Sequence, residues 1–549
     1  AKTLRDDLNR KKSDRANYDN IWDVSARLVL PTSVGFTSTY APGTYLHNEI
    51  YDTTAIQALP KFAAALDTLL TPQHEIWHSF QPEDPRLKRD EPTRAFYYWL
   101  TQRIFQVRYQ PSASFAARMG ETYISLGAFG NGAIYVQDAR PGIRYLGIHL
   151  SEIWFDQDIN GVIDTAYWEH EYTARQVLQN EAWAKKLPED FAKLAKDRPD
   201  QKFKVVKAVY PRTDRGKPNA GAKSMKFANT VFLSDGQTEP VILEESGYRT
   251  FPFAVMRYLL APRDLSGRGP TQEVLGSIRS LQRMKISVMR RGELSNDPAW
   301  LTADEDSLPE LAARPGSINP GYLGPDGKPR AVPLYVPGDG GIGLELMDQE
   351  RQAIYGAYLV TLFQAMAETS DTKRMTATEV TARMQEKGAM LAPIGGRIRS
   401  EFLGTLIERE LDILIHAGLL DGVDIPDGVK RSNGTYKVVY ESMLSRNVRS
   451  EASVGILRTL ETASQIAQAT GDPKVYKNID LNKAFWHIAD GNNTPPDVIV
   501  PADQLAAEEE ALAQQQEMAM ALQAAPGLAD TAKTLVEANN MAGTDTGVV

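Results

Sequence analysis

Glu368-Thr-Ser-Asp-Thr-Lys-Arg-Met375 is a polar break between two apolar-patterned segments that together span Leu344 to Leu420. Before the break, bulky apolar residues recur at helical spacing, which predicts an amphipathic helix with one buried face, ending near Glu368. After it, Thr376 and Glu379 have the spacing of a capping box, which predicts the start of a second helix. Between Glu368 and Met375 the break offers acidic, hydroxyl and basic side chains without an apolar anchor, so we expect a loop outside any packed core.

The bulk composition describes a large folded protein without thiol chemistry. Its 549 residues are 42% hydrophobic, which is enough for about three or four domain-sized units. The absence of cysteine excludes disulfides and thiolate ligands and fits a reducing cytoplasm. No apolar run reaches the roughly 18 residues of a membrane span, and the start Ala1-Lys-Thr-Leu-Arg-Asp-Asp7 has no apolar signal region. We therefore expect a protein that neither spans a membrane nor carries a signal peptide.

The charge distribution bears on nucleic-acid binding. A net charge of −9 argues against a protein that grips nucleic acid by neutralising phosphates, but it does not exclude one past which DNA slides. Within a predicted helix at Thr271–Gly292, the residues Arg279, Arg283 and Arg290 fall on one stripe. Two interpretations stay open for this stripe: a solvated or subunit-pairing face, and a surface near DNA.

The first half of the chain has helices first and strands afterwards. An amphipathic helix at Thr3–Leu30 ends at Pro31, and an extended arm, Thr32–Asn48, follows it. The pattern changes at Gly127-Ala-Phe-Gly-Asn-Gly132, and the Asn160-Gly161 pair between two alternating runs is a strong hairpin signal. This part is therefore predicted to be an α+β unit, with further helices at Thr53–Leu70, Thr93–Val107, Ser112–Leu126 and Thr173–Asp197, and strands at Ala133–Gln137, Tyr145–Leu150, Ile153–Gln157, Phe203–Tyr210, Phe227–Leu233, Val241–Glu245 and Phe253–Tyr258.

The remainder of the chain is predicted to be mostly helical. Ser295–Gly343 is dense in Pro and Gly, which indicates a compact, loop-rich module with a short strand at Ala331–Val336. The Ala/Gln/Glu-rich stretch Pro501–Ala524 favours a helix that frays into disorder by Gly543. Between them, after the opening hairpin, we expect a strand at Thr435–Glu441 and helices at Val448–Thr470 and Leu481–Ala489.

His74-Glu-Ile-Trp-His78 matches the H-E-x-x-H signature, in which two histidines on one helix face bind zinc and the glutamate activates water. Pro72 and Pro82 leave little room for the helix that this chemistry needs, and apolar residues around His78 alternate as in a strand. A zinc-dependent hydrolase using His74, Glu75 and His78 is therefore an alternative function and not the preferred one.

Two other motifs are incomplete. Asp156, Asp158, Asn160 and Gly161 match the first half of a calcium loop, but Tyr167 stands at position twelve, where a bidentate glutamate is required. The Asn-Gly hairpin explains the same residues without a metal. The glycine- and lysine-containing stretches at 216–224 and 324–328 do not fit a phosphate-binding loop. The sequence thus predicts no catalytic residue, no metal site and no cofactor.

The order of the segments resembles that of the portal, or head-to-tail connector, proteins of short-tailed bacteriophages, over nearly the whole chain. No single motif is diagnostic, but their order and spacing together are specific. The segments that carry the resemblance are Tyr18-Asp-Asn-Ile-Trp22, Leu69-Leu-Thr-Pro72, Gly127–Gly132, Pro252-Phe-Ala-Val-Met-Arg257, Gly267-Arg-Gly-Pro270, Leu281-Gln-Arg-Met284 and Met375-Thr-Ala-Thr-Glu-Val380.

The resemblance implies a non-enzymatic structural protein with a mostly helical α+β portal fold, assembled as a ring of twelve copies around a central channel. The parts that it implies are a wing with an N-terminal helix and arm (1–266), a first stem helix (267–294), a clip (295–343), a second stem helix (344–367), a tunnel loop (368–375), a long wing helix with a following strand (376–445), crown helices (446–500) and a partly disordered C-terminal helical tail (501–549).

By the same resemblance, the protein is made in the host cytoplasm and its ring sits at a capsid vertex, at the head–tail junction of the virion. There it conducts double-stranded DNA during packaging and ejection. The implied partners are further copies of the chain, double-stranded DNA without sequence preference, the terminase large subunit, tail adaptor and nozzle proteins, major capsid and scaffolding proteins, and internal core proteins, with no membrane.

The resemblance also implies that the tunnel loop, Thr369, Ser370, Asp371, Thr372, Lys373 and Arg374, faces the DNA. From their position and charge, Lys373 and Arg374 are hypothesised to contact DNA. The other interpretation, that they pair with Asp371 or with a neighbouring subunit, stays open. A virion scaffold protein without a channel is a further alternative function.

Overall fold

The computed structural model describes residues 1–33, 35–37, 40–41, 43–44, 50–139, 142–187, 191, 193, 197–214, 221–234, 240–302, 317–334, 340–363, 393–418, 420–432, 434–441, 443–470, 479–491, 494, 508 and 511–516. The chain divides into two compact units. The first comprises residues 1–78, 102–423 and 440–444, and the second comprises residues 79–101, 424–439 and 445–549.

The helices are labelled in chain order α1 (Lys2–Val29), α2 (Thr54–Leu70), α3 (Glu91–Arg108), α4 (Phe115–Phe129), α5 (Ala174–Gln179), α6 (Glu181–Ala184), α7 (Pro270–Glu273), α8 (Leu275–Asn296), α9 (Gly340–Ala357), α10 (Gly404–His416), α11 (Asp427–Arg431), α12 (Met443–Thr470) and α13 (Leu481–Gly491). The strands are β1 (His78–Pro82), β2 (Asn131–Ala139), β3 (Gly142–Ile148), β4 (Ile153–Gln157), β5 (Ile163–Thr173), β6 (Lys202–Pro211), β7 (Phe227–Leu233), β8 (Val241–Tyr248), β9 (Phe253–Arg257), β10 (Trp300–Thr302), β11 (Ala331–Pro333) and β12 (Tyr436–Tyr440).

Antiparallel sheets form the β part of the first unit. One has the strand order β4-β5-β6-β7-β8, and another has the order β3-β2-β9. The Asn160-Gly161 hairpin prediction is confirmed, because β4 and β5 are antiparallel neighbours and Gly161 has a φ of 82°. Glycine adopts this conformation at little cost, which favours a tight turn here. The strands predicted for this region are present, within a few residues of the predicted bounds.

Helices α1, α2 and α4 pack against one another beside β2. The N-terminal helix is confirmed, and Leu8, Trp22 and Leu28 are buried as its apolar spacing predicts. Ile21, although apolar, is 43% exposed. Successive helical residues lie about 100° apart, so the face that buries Trp22 turns its neighbour Ile21 outward.

The charged helix predicted at Thr173–Asp197 is wrong as a single element. Helix α5 ends at Gln179, and a second helix, α6, begins at Glu181. The Asn180 side-chain oxygen accepts hydrogen bonds from the backbone N–H groups of Ala182 and Trp183, at 3.1 and 3.4 Å. Asparagine at this position caps a new helix and so favours a break over continuation of the old one.

The predicted hairpin of helices is only partly described. The first helix, α9, begins at Gly340 and ends at Ala357, short of the expected end near Glu368. Leu359 has a φ of 57°, a left-handed conformation that interrupts the helix, although residues 360–363 are helical again. The polar break, with Thr376 and Glu379, lies outside the described residues.

The returning helix is described from residue 393 onward. It contains a π-helical turn at Ile398–Leu403, continues as α10 and ends at His416. The prediction that it continues to Leu420 is wrong, because the chain turns at Gly418, whose φ is 89°. A left-handed glycine just past the last helical turn is a common helix terminator.

Strands β10 and β11 lie between α8 and α9 in the sequence and pair with each other antiparallel, with Leu301 opposite Val332. The strand predicted at Ala331–Val336 is therefore present in its described part, Ala331–Pro333. Residues 303–316 and 335–339 of the same segment lie outside the described residues.

The second unit joins three separated pieces of the chain. Strands β1 and β12 are neighbours in a sheet, and the Phe80 and Tyr436 rings lie 5.3 Å apart. The Tyr97 hydroxyl donates to the Thr435 carbonyl oxygen at 3.0 Å. The Arg94 guanidinium lies 4.7 Å from the centre of the Trp486 ring on α13, a cation–π contact that joins this helix to the same unit.

Candidate functional site

Helices α8 and α9 pack against each other and form the described part of the predicted stem. Ile278 and Leu281 of α8 and Met347 and Ile354 of α9 are each at most 1% exposed. Burying side chains of this size stabilises a structure by about 1.5–3 kcal/mol each. The pair is therefore held by an apolar stripe on each helix, which leaves their other faces available to solvent or to another molecule.

Arg279, Arg283 and Arg290 all lie exposed on α8. At about 100° per residue they fall within an arc of about 40° on the helix surface, turned away from the buried Leu281. Among the described residues, none of these three guanidinium groups has a hydrogen-bond or ion-pair partner. One helix face thus presents a row of uncompensated cations, which suits weak contacts to phosphate or carboxylate groups of another molecule.

The stem helices are joined to the rest of the first unit through Asp52, a residue that the sequence analysis did not single out. Gln282 of α8 accepts from the backbone N–H groups of Tyr51 and Asp52, at 2.7 and 2.9 Å, and donates to the Asp52 carbonyl oxygen at 2.8 Å. Arg351 of α9 donates to the Asp52 carboxylate at 2.8 Å. Burial on its own raises the pKa of this carboxyl, but hydrogen bonds from Thr54 and Arg351 outweigh it and leave the pKa lowered.

A second junction holds the end of α9. The Thr271 hydroxyl donates to the Gly127 carbonyl oxygen at 2.7 Å, so the Tyr358 hydroxyl, 2.6 Å away, donates to Thr271. Tyr358 is fully buried, and its ring lies 6.2 Å from that of Phe62, edge to face. Because Leu359 adopts its left-handed conformation immediately after this fixed tyrosine, the helix is interrupted at a rigid point of the unit.

Two glycine-containing segments that carried the resemblance lie in direct contact. A Cβ atom at Gly130 would be 2.5 Å from the Gly267 carbonyl oxygen, and one at Gly269 would be 2.7 Å from the Gly130 nitrogen. The Asn131 side chain accepts from the Gly267 N–H at 2.8 Å and donates to the Gly267 carbonyl oxygen at 3.2 Å. Only glycine allows the backbones to come this close, which places the start of α7 directly against the end of α4.

Arg257, the last residue of another of those segments, fixes the returning helix. It donates to the Glu401 carboxylate at 2.8 Å, to the Gln157 side-chain oxygen at 2.8 Å and to the Gly161 carbonyl oxygen at 2.9 Å. Glu401 lies within the π-helical turn, a local irregularity that redirects side chains on a helix. The turn is thereby bound to the β4–β5 hairpin.

The predicted tunnel-loop residues cannot be placed by this geometry. Thr369, Ser370, Asp371, Thr372, Lys373 and Arg374 lie outside the described residues, so their DNA-facing role stays a prediction. The structure places only the three arginines of α8 among the predicted site residues. It does bring together the helices that precede and follow the loop in sequence, by binding both to one framework of β strands and α2.

The H-E-x-x-H residues do not form a metal site. His74 and Glu75 are exposed, whereas His78 is fully buried on strand β1. The His78 Nε2 atom accepts from Arg108 at 2.9 Å, and Arg108 in turn forms a buried ion pair with Glu410. Burial and the nearby Arg108 charge lower the pKa of His78, so it is neutral. Among the described residues, no cluster of His, Cys, Asp or Glu could hold a metal ion.

The half-matching calcium loop is a hairpin turn. The Asp158 carboxylate accepts from the backbone N–H groups of Asn160 and Val162, at 2.8 and 2.9 Å. Asp156 is bound instead by Lys11 of α1. Because both carboxylates already have partners inside the chain, the hairpin interpretation of this motif is confirmed.

A serine–histidine pair that the sequence did not suggest lines a cavity of about 350 Å³. Ser33 Oγ lies 2.6 Å from His149 Nε2. The Ser151 N–H donates to His149 Nδ1 at 3.2 Å, so the proton of the neutral ring is on Nε2. Burial lowers the pKa of His149 and favours this neutral form. A ring that donates to the serine cannot take its proton, so this pair lacks the arrangement of a nucleophile and its base.

In the parts of the chain that the structure describes, no helix combines the length and apolar character required to cross a membrane.

Comparison with known proteins gives a consistent result over nearly the whole chain. Residues 1–500 match the model of a family described as bacteriophage head to tail connecting protein. The chain is 25% identical over 529 residues to a probable portal protein of Bordetella phage BPP-1, covering 95% of this chain and 93% of that protein. It is 24% identical over 541 residues to a portal protein of Salmonella phage epsilon15, and this match covers 96% of this chain and 94% of that protein. A match to a solved chain from the virion of a native gene transfer agent particle covers 70% of this chain and 90% of that chain, at 11% identity. The TM-score is 0.28, which is too low to show a shared fold.

Proposed function

Because the chain belongs to the family of bacteriophage head-to-tail connecting proteins, we propose that it is a portal that forms a DNA channel at one capsid vertex. The family match over residues 1–500 carries this proposal, since it covers all the residues that we propose to form the wing, stem, clip and crown. A head-to-tail connector role places the protein in the virion, with capsid and tail partners. The proposed assembly is a ring of twelve copies around a central pore.

The arginine stripe of α8 supports a place for the stem beside DNA. Arg279, Arg283 and Arg290 are exposed and have no partner among the described residues, while Ile278, Leu281 and Gln282 hold the helix through buried contacts. A few cations in a protein of net charge −9 give weak, sequence-independent phosphate contacts. Such contacts let DNA slide, whereas extensive neutralisation would hold it in place. Lys373 and Arg374 are proposed to add contacts of the same kind from the tunnel loop.

The proposed partners follow from the position of a connector. They are the terminase large subunit during packaging, the tail adaptor and nozzle proteins afterwards, and the major capsid, scaffolding and internal core proteins on the head side. The clip, residues 295–343, is proposed as the part that meets the terminase and then the tail. In this role the chain itself catalyses no reaction.

The alternatives have less support. A zinc-dependent hydrolase would need His78 as a ligand, but this residue is buried on a strand against Arg108. A scaffold protein without a channel differs from a portal only in its assembly. Native mass spectrometry of the purified protein tests the hydrolase: a mass near twelve chains without bound zinc supports the portal, whereas a zinc-loaded monomer contradicts it. An averaged image tests the scaffold alternative, which a central pore would reject.

A further inference from the structure

A continuous row of aromatic rings lies on one face of the first unit's larger sheet. Trp168, His170 and Tyr172 alternate along β5 and therefore share a face. The ring centres of Trp168 and His170 are 5.8 Å apart, and those of His170 and Tyr172 are 4.8 Å apart. Tyr135 extends the row at one end, 5.5 Å from Trp168, and Trp183 of α6 extends it at the other, 5.8 Å from Tyr172.

These rings line an open cleft of about 450 Å³. Its floor is formed by β5, β6 and β7, and its two sides are the β2–β3 strands and the short helices α5 and α6. A volume of this size lies in the range of cavities that bind small molecules or short peptide segments, about 300–1,000 Å³. Trp168, His170, Tyr172 and Trp183 are all only partly buried, so their rings remain accessible from the cleft.

Hydrogen bonds fix the orientation of the rings. The indole N–H of Trp168 donates to Glu152 at 3.2 Å, and His170 Nδ1 lies 2.9 Å from the same carboxylate oxygen. The indole N–H of Trp183 donates to Glu244 at 3.3 Å. Rings held in this way lose little freedom on binding, which favours affinity. The same bonds occupy the carboxylates of Glu152 and Glu244, which are therefore already satisfied inside the chain.

One cation stands at the Tyr135 end of the row. Lys207 Nζ lies 4.4 Å from the centre of the Tyr135 ring and donates to the Tyr135 hydroxyl at 3.0 Å. Among the described residues, no carboxylate forms an ion pair with this ammonium group, which is half-buried. A partly desolvated cation without a counter-ion is a site for an anionic group of a ligand.

We propose that this cleft binds an extended peptide segment of a partner protein, with an acidic residue at Lys207 and apolar side chains at alternate positions along the aromatic row. Side chains on one face of an extended peptide repeat every two residues, about 6.8 Å, as do the residues of β5 that carry the rings. Each apolar side chain of the segment therefore meets one ring. This function goes beyond a DNA channel, and its failure would leave the proposed connector role untouched.

Other ligands fit the cleft less well. Single-stranded nucleic acid also stacks on aromatic rows, but it requires a positively charged groove along its backbone. Here Lys207 shares the lining with Glu244 and a histidine bound to Glu152. A sugar chain needs many hydrogen-bonding side chains, whereas the Glu244 carboxylate in the lining already accepts from the Trp183 indole and the Ser246 hydroxyl. A peptide needs only stacking and a single charge contact.

The test is a binding titration with the full-length protein and fluorescein-labelled peptides. The probe is acetyl-Asp-Phe-Ser-Phe-Ser. Two comparison peptides are used: the same peptide with Lys in place of Asp, and acetyl-Asp-Ser-Ser-Phe-Phe, in which the two Phe residues no longer alternate with Ser. Fluorescence anisotropy reports binding. The protein variants are Lys207→Met, which removes the ammonium group and its hydrogen bond to Tyr135 but keeps a side chain of similar length, and Trp183→Ala. Trp300→Ala is the matched control, because Trp300 is exposed outside the cleft. Circular dichroism checks that each variant is folded.

We expect the acidic alternating peptide to bind, with at least about tenfold weaker binding for either altered peptide, for Lys207→Met and for Trp183→Ala, and unchanged binding for Trp300→Ala. Absence of binding at millimolar peptide, or equal binding by all peptides and variants, overturns the proposal. Unlabelled octathymidylate and cellohexaose serve as competitors. Displacement of the probe by either one assigns the cleft to nucleic acid or to a sugar and also overturns the proposal. Lys207→Met is the deciding variant if Trp183→Ala does not fold.

Discussion

Arg351 on helix α9 binds Asp52, which lies 299 positions earlier in the chain, through Nη2 at 2.8 Å and Nε at 3.3 Å. The same aspartate caps the start of α2 by accepting from the Thr54 N–H at 2.9 Å. Its backbone also binds Gln282 of α8. A single residue therefore fixes both stem helices and the N-terminus of a third helix, so a change here is expected to loosen the whole stem.

Asp52→Asn is expected to lower the free energy of unfolding by about 2 kcal/mol, because a charge-assisted hydrogen bond is lost. Gln282→Ala is expected to weaken the same junction from the other helix. Urea denaturation at neutral pH measures both changes. Glu345→Gln on α9, where the side chain is exposed, is the control and is expected to leave the midpoint unchanged. An Asp52→Asn protein as stable as the parent would contradict the role of this junction.

The contribution of Asp52 is also expected to depend on pH. Its pKa is lower in the folded protein than the ordinary value of about 3.9. The carboxylate therefore adds stability above that ordinary value, and this stability is lost as the pH falls through the folded-state pKa. Thermal unfolding between pH 3 and 7 should show that the parent protein is more stable than Asp52→Asn at neutral pH and that this difference in stability shrinks at the acidic end. An advantage that stayed constant over the whole range would contradict the assignment.

Arg108 and Glu410 form an ion pair from which solvent is excluded on both sides. Arg108 Nε donates to Glu410 Oε1 at 3.0 Å, and the Tyr145 hydroxyl donates to the same oxygen. Glu410→Leu or Arg108→Met alone is expected to cost about 3–5 kcal/mol, because each leaves an uncompensated buried charge or donor. The double variant Arg108→Met/Glu410→Leu is expected to cost less than the sum, since it removes both charges. Strictly additive losses in urea denaturation would contradict this account.

His170 on the aromatic row forms a hydrogen-bonded pair with Glu152. The hydrogen bond that His170 donates to the Glu152 carboxylate is the main cause that raises the pKa of His170 above its ordinary value of about 6.5. The stability that this pair contributes is therefore fully present below that ordinary value and is lost as the pH rises through the folded-state pKa. Because both side chains are partly exposed, the effect is small. Glu152→Gln should lower the pKa of His170 in a histidine titration by NMR, and an unchanged value would refute the pairing.

The arginines of the stem and the basic residues of the tunnel loop can be tested separately for a role in DNA transport. The triple change of Arg279, Arg283 and Arg290 to Gln should leave assembly intact and reduce the amount of DNA retained in particles. Lys373→Ala with Arg374→Ala should also leave the ring intact and alter packaging or retention. The measurement is the DNA content of purified particles. Unchanged DNA content in either variant removes the functional assignment of that group, whereas loss of the ring would assign it to subunit contacts.

Local features of the fold could be predicted from the sequence. The Asn160-Gly161 turn, the strands around it and the helix at Lys2–Val29 depend on neighbouring residues, and all are present. The interruption at Leu359 could not be predicted in this way, because leucine disfavours a left-handed conformation. Only the buried Tyr358 hydroxyl and its contact with Thr271 account for the end of the helix there. Thr271, the residue that Tyr358 contacts, lies 87 positions earlier in the chain.

The contacts that position the candidate site also join residues that lie far apart in the sequence. Arg257 and Glu401 are each unremarkable charged residues in the sequence, and their pairing joins positions 144 apart. Asp52 precedes Thr54 in a spacing that suggests a helix cap, but nothing local indicates its bond to Arg351. The contact between Tyr97 and Thr435 in the second unit spans 338 positions. A single sequence carries the local pattern of such residues and not the partner that tertiary packing selects.

The most direct test of the central claim is an averaged electron-microscopy image of the purified full-length protein viewed down its symmetry axis. The account predicts a closed ring of about twelve subunits with a central pore wide enough for a DNA duplex, roughly 20 Å, in agreement with a heterologous, closing interface. A monomer, an open filament or a closed particle without a pore would contradict the proposal that this connector protein is a DNA channel.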